Sequence, residues 1–122
     1  MTFVYVCGPI AGKPDANRQA FKDACLYLTH LGYEPVNPHD IGPYDHEGLC
    51  PEGPLAGEGG THAAPCYMRS DLKALLECDA IFMLHGWMYS VGARTEFEVA
   101  RACGLKLFFE EHPVRLHRQE ET

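Results

Sequence analysis

Short apolar runs alternate along this chain with segments of helical periodicity, and that alternation restricts it to one kind of sheet. Phe3-Val-Tyr-Val-Cys7, Tyr33 to Asn37, Ala80 to Leu84 and Leu105 to Phe109 read as strands. Between them run three helical patterns. The first starts at about Asp15, places Phe21, Cys25, Leu28 and Leu31 on one face and closes at Gly32. The second covers Tyr67 to Cys78 with Met68, Leu72, Leu75 and Leu76 inward. The third runs from Ala93 to Cys103 and stops at Gly104. Strands joined by helices are parallel, with right-handed crossovers. The expected fold is therefore a single-domain, flavodoxin-like (Rossmann-like) α/β sheet over residues 1–122. Its strand order should be 2-1-3-4, with helices on both faces. Pro35 cannot donate to a ladder, which puts the second strand at an edge.

Length and charge narrow the class further. A chain of 122 residues can bury one core, with little left for a second domain. Its 17 acidic and 10 basic residues give a formal charge of −7 without a basic stripe, which argues against long nucleic acid as a partner. A small anion is still compatible, since helix amides and one or two arginines suffice to hold a phosphate. Six cysteines lie far apart, four of them among apolar neighbours in predicted elements, as buried free thiols do. The chain enters its first strand without a basic leader, and no apolar run approaches bilayer length. The expectation is a cytoplasmic protein with no membrane contact.

Two stretches fall outside the alternation. Residues 38–65 hold six of the twelve glycines and five of the nine prolines, the composition of a long functional lid. His39, His46, Cys50, His62 and Cys66 lie in or beside it, but no pair has the short spacing of structural zinc ligands, so no metal or other cofactor is expected. From Glu110 onward the tail is polar and reads as frayed, although Val114 and Leu116 are able to dock.

The richest chemistry lies between Asp79 and Ala100. After the third strand, Gly86 to Gly92 reads as a turn, and Glu96 falls near the start of the next helix, beside the carboxyl end of a strand. Open α/β sheets bind their ligands there. A carboxylate near a helix N-terminus is held ionised by the dipole and free amides, which suits a nucleophile. Taken alone, the plainer reading wins: a glutamate in a first helical turn is simply favourable there. Glu98 is about 200° around the helix from Glu96 and cannot share its pocket. The turn Gly8-Pro9-Ile10-Ala11-Gly12 follows the first strand and precedes a helix, the right context for amides that face a ligand. It is not the dinucleotide fingerprint, because the paired-glycine spacing is missing. With strands 1 and 3 adjacent, this turn and Glu96 would border one crevice.

Tyr5-Val-Cys7-Gly8, Asp71 on the second helix, Asp79 opening the third strand and Ser90-Val-Gly92-Ala-Arg-Thr-Glu96 together resemble a known family. In that order and spacing they are similar to the nucleoside 2-deoxyribosyltransferases and related nucleotide N-glycosidases. The closest look is to the 2′-deoxynucleoside 5′-monophosphate N-hydrolase branch and its short members, over roughly residues 3 to 109. The chain departs from the pattern in the long Gly/Pro loop and in lacking an arginine in the Gly8–Gly12 turn.

The resemblance implies that Glu96 attacks the anomeric carbon of a (deoxy)ribosyl unit, releases the base and forms a glycosyl ester, which water or a second base resolves. Tyr5 would orient Glu96, and Asp71 would help protonate the leaving nitrogen. Asp79 would cap or orient at the substrate site. Gly8, Pro9, Ile10, Gly12, Ser90 and Gly92 would surround a 5′-phosphate, with Arg18 adding charge. The resemblance also implies a homo-oligomer, at least a dimer, in which a neighbouring subunit completes the pocket. Trp87, Met88 and Tyr89 suit base stacking, a subunit contact or plain packing. Two rival classes share these residues: a deoxyribosyltransferase that exchanges bases, and a nucleotide-binding module without turnover.

Overall fold

The computed structural model describes residues 1–44, 64–110 and 116–118. Strand β1 spans Phe3–Cys7, β2 Glu34–Val36, β3 Ala80–Met83, β4 Lys106–Glu110 and β5 Leu116–Arg118. Helix α1 covers Arg18–His30, α2 Ala64–Leu76 and α3 Val91–Ala102. They build one sheet in the order β2-β1-β3-β4-β5. The first four strands are parallel, in the 2-1-3-4 order the alternation predicts. Among the described residues β2 is an edge strand, and Pro35 lies opposite Val4 with no neighbour beyond it.

β1 shows how a strand supplies two cores at once. Val4 and Val6 point to one face, where Phe82, Leu84 and Phe108 of the sheet meet Phe21, Ala24 and Leu28 of α1. Tyr5 and Cys7 point to the other, with Ile81 and Met83, against Leu75 of α2 and Ala93 and Ala100 of α3. Burial on both faces is why these strands read as unbroken apolar runs. The route of the chain from β1 out to β2, then back past β1 to β3, puts α1 and α2 on opposite faces. The crevice between the carboxyl ends of β1 and β3 is therefore the switch point of the sheet.

Several details depart from the expectations. Helix α1 begins at Arg18 rather than near Asp15, because Asp15, Ala16 and Asn17 are left-handed, with φ of 50°, 53° and 59°. Leu31 is exposed: the helix ends at His30, Gly32 turns the chain at φ 93°, and Tyr33 packs on the core with its ring 5.6 Å from that of Phe108. Helix α2 starts earlier than expected and stops at Leu76, which faces outward, while Cys78 tucks under its end with Sγ 3.4 Å from the Ala74 carbonyl. The tail is not wholly frayed. Leu116–Arg118 pairs antiparallel with the outer edge of β4, where unpaired amides and carbonyls would otherwise face water. Most of the 38–65 loop, with His46, Cys50 and His62, lies outside the described residues, as does Val114.

Candidate active site

Glu96 is the one charged side chain buried among the described residues, 6 % exposed. It lies in the second turn of α3, so the free amides of the helix start are not its partners. β1 supplies them instead. The Tyr5 hydroxyl donates to Oε2 at 2.8 Å, and the Cys7 thiol lies 3.2 Å from Oε1 and 3.5 Å from the Ala93 carbonyl. Tyr5 and Cys7 are two residues apart on a strand, which puts both on the face that α3 covers.

Asp71 comes from the inward stripe of α2, formed with Met68, Leu72 and Leu75. Its Oδ1 is buried with no hydrogen-bond partner. Burial and then the charge of Glu96 push the Asp71 carboxyl up to about 7. Burial likewise raises Glu96 to about 7, opposed by the hydrogen bonds from Cys7 and Tyr5. This corrects the expectation of a carboxylate held ionised by the helix dipole, because desolvation outweighs it. Ionised Glu96 thus opposes the ionisation of Asp71, so the two do not both ionise readily at neutral pH. Glu96 accepts two hydrogen bonds, which favours its charged form, whereas Asp71 has an unpartnered buried oxygen, which favours its neutral one. Tyr5 and Cys7 are both raised well above their ordinary values, first by burial and then by Glu96, so each stays a protonated donor.

Four groups from β1, α2 and α3 thus converge: Tyr5, Cys7, Asp71 and Glu96. Glu98 is apart from them on the exposed side of α3, paired with Arg101 at 2.8 Å. Of the convergent four, sequence reasoning misses only Cys7, which it leaves among buried thiols. Its place two residues after Tyr5 was the available signal.

The residues assigned to the phosphate have varied structural work. Ser90 caps α3, its Oγ accepting from the Ala93 amide at 3.2 Å, and Gly92 lies beside Met68, whose Cε would be 3.4 Å from an added Cβ. Gly8 is packed so closely on Leu84 that a Cβ would come within 2.8 Å of Leu84 Cβ and Cδ1. Pro9 is buried, and its carbonyl accepts from Asn17 Nδ2 at 2.9 Å. Ile10 packs against the α1-side core, and Gly12 turns the exposed loop at φ 80°. Like Ile10, two charged residues are not brought to Glu96. Arg18 lies on the α1 side of the sheet, 3.7 Å from Asp15, and lines a groove of about 380 Å³ with Lys22, Asn37, His39 and Asp40. Asp79 is at the amino end of β3, where its carboxylate accepts from the Phe3 amide at 2.9 Å. A four-residue strand, roughly 13 Å, separates it from the carboxyl ends.

The apolar Trp87-Met88-Tyr89 segment divides. Trp87 stacks with Phe97, centroids 4.6 Å apart, and next to Phe109, whereas Met88 and Tyr89 are exposed. Among the described residues no helix is long and apolar enough to cross a membrane.

A doubly wound, mostly parallel sheet with a buried, hydrogen-bonded carboxylate at its switch point defines the architecture. The chain belongs to the family described as a domain of unknown function, DUF4406, whose model matches residues 2–109. Among curated proteins, none matches the chain.

Proposed function

We propose that the chain is an N-glycosidase that cleaves the base–sugar bond of a (deoxy)nucleoside 5′-monophosphate through a glycosyl ester on Glu96. The observation that carries this reading is the pairing of a carboxylate held by two donors with a second, unpartnered carboxyl that feels its charge. Retaining glycosidases need that division of labour, a nucleophile and a general acid. An oxygen of ionised Glu96 attacks the anomeric carbon as the carbon–nitrogen bond breaks. The electron pair leaves with the base, which takes the Asp71 proton. Asp71, now ionised, accepts a proton from water as that water attacks the same carbon, and Glu96 departs as carboxylate. Tyr5 stays hydrogen-bonded to Oε2 and fixes the carboxylate plane.

The phosphate is proposed to sit at the start of α3. There the Val91 and Gly92 amides have no acceptor in the helix's own ladder, and the Ser90 hydroxyl keeps its proton to donate. Arg18 is on the other face of the sheet, so its charge is not part of this proposal.

The deciding experiment is a screen of nucleosides and their 5′-monophosphates for released base, with wild type and Glu96→Gln side by side. The expected result is release by the wild type alone. The monophosphate should be favoured by one or more orders of magnitude, since charge-assisted hydrogen bonds contribute about 1.5–3 kcal/mol each. Release by Glu96→Gln at the wild-type rate would overturn the nucleophile. Equal specificity constants for nucleoside and monophosphate would leave Ser90 as a helix cap alone. Base exchange in place of hydrolysis would identify a transferase. Thermal stabilisation by nucleotides without any released base would identify a binding module.

A further inference from the structure

Each carboxylate oxygen of Glu96 has its own donor, and the two donors differ in kind. Oε2 receives a phenolic O–H at 2.8 Å, a short bond between oxygens. Oε1 receives a thiol S–H at 3.2 Å, and a thiol is a weak donor. The Cys7 side chain is fully buried, and Ala93, from the same helix as Glu96, offers its carbonyl as the alternative acceptor at 3.5 Å. The S–H can therefore leave Oε1 without being stranded.

We propose that Cys7 is a positioning residue of this site: its S–H holds Oε1 of Glu96 loosely while Tyr5 holds Oε2 firmly, and Oε1 is the oxygen that attacks. The proposal rests on Glu96 as nucleophile. An attacking oxygen must give up electron density, so a strong donor on it would slow the step, and no donor would leave the carboxylate free to rotate. When Oε1 becomes the ester oxygen it is a poor acceptor, and the S–H turns to the Ala93 carbonyl. Tyr5 keeps its bond to Oε2, now the ester carbonyl.

The test measures base release across pH in wild type, Cys7→Ala and Cys7→Ser. Losing one of two donors makes Glu96 harder to ionise. In Cys7→Ala the acid limb of the profile should move up by roughly half to one pH unit, a threefold to tenfold loss of rate below the limb. Cys7→Ser should bring the limb back, yet its maximum rate should fall several-fold below the wild type, because a hydroxyl grips Oε1 harder than a thiol does. A role in packing alone would lower the rate without moving the limb. A second measurement needs no turnover. The Raman S–H stretch of Cys7, identified by its loss in Cys7→Ala, should fall in frequency as Glu96 ionises and stay fixed in Glu96→Gln. An acid limb unmoved in Cys7→Ala, or an S–H band indifferent to Glu96, overturns the positioning role. A Cys7→Ser maximum rate equal to the wild type overturns Oε1 as the attacking oxygen. If the band titrates but no substrate releases base, the Cys7–Glu96 coupling stands and the glycosidase reading falls.

Discussion

At the scale of single residues, the two acidic positions of α3 make the sharpest contrast. Glu96 is buried and held by β1, whereas Glu98 is solvated and paired with Arg101 within its own helix. Glu96→Gln should abolish base release, and Glu98→Gln should leave the rate within about twofold, since an exposed pair one turn apart contributes little. The pH–rate profile follows from the coupled carboxyls. The proposed reaction needs Glu96 ionised and Asp71 protonated, and both are raised to about 7, so activity should rise and fall as a narrow bell centred near there. Asp71→Asn removes the descending limb along with most of the rate. Stopped assays across the pH range read both effects, and a broad plateau up to about pH 9 would remove Asp71 from the role of acid.

Among elements, the β1–α1 connection is where sequence reasoning and structure part. Pro14 and Asp15 carry the signals of a helix start, Pro near the first position and an acidic first turn. The chain there instead takes three left-handed residues, and Asn17 sends its side chain to the Pro9 carbonyl rather than to the end of α1. Local signals are blind to that tertiary tie. Ala16 has no polar side-chain group to compensate for φ 53°, and the left-handed region costs a non-glycine residue about 1–2 kcal/mol. Ala16→Gly should therefore stabilise the protein by up to about 1 kcal/mol, after glycine's own entropy is subtracted. Gly8 is the opposite case. A methyl there collides with Leu84, so Gly8→Ala should destabilise by about 1–3 kcal/mol, and Leu84→Ala should recover part of that loss in the double variant. Urea midpoints of the four proteins give the coupling.

Strand alternation was legible because Val4 and Val6, and their neighbours on β3 and β4, are buried on a parallel sheet and leave unbroken apolar runs. Glu96 was legible by its distance from a strand end. Asp79 was not, because a motif gives order along the chain but not which end of the sheet a residue occupies. β5 was hidden too: Leu116-His-Arg118 has no apolar run, and its pairing comes from the open edge of β4 rather than from its own pattern.

For the whole molecule, burying two carboxyls has a consequence for stability. Both have folded-state values raised above their ordinary ones, so the folded protein binds protons more tightly than the unfolded chain does. Their contribution is fully present below the ordinary carboxylate range and is lost as pH rises through about 7. Glu96 alone should account for a decline on the order of 3 kcal/mol between about pH 4 and pH 8. Glu96→Gln should flatten that decline and be more stable than the wild type at about pH 8, by urea denaturation, even as its activity is gone. A wild type whose midpoint rises from about pH 5 to pH 8 would show that Glu96 is better solvated than its burial indicates.

The alternation of β1 also sets a rule for how the chain must assemble. Val4 and Val6 meet α1, while Tyr5 and Cys7 meet Glu96. A slip of one residue against β3 would exchange the two pairs. A phenol and a thiol would enter a fully buried core built only of apolar side chains, and the carboxylate of α3 would lose both its donors at once. Misalignment is thus penalised twice, once for each face. The cluster that the proposed chemistry needs acts as a proofreader of strand register, and the alignment it accepts is the one that brings Tyr5 and Cys7 to Glu96.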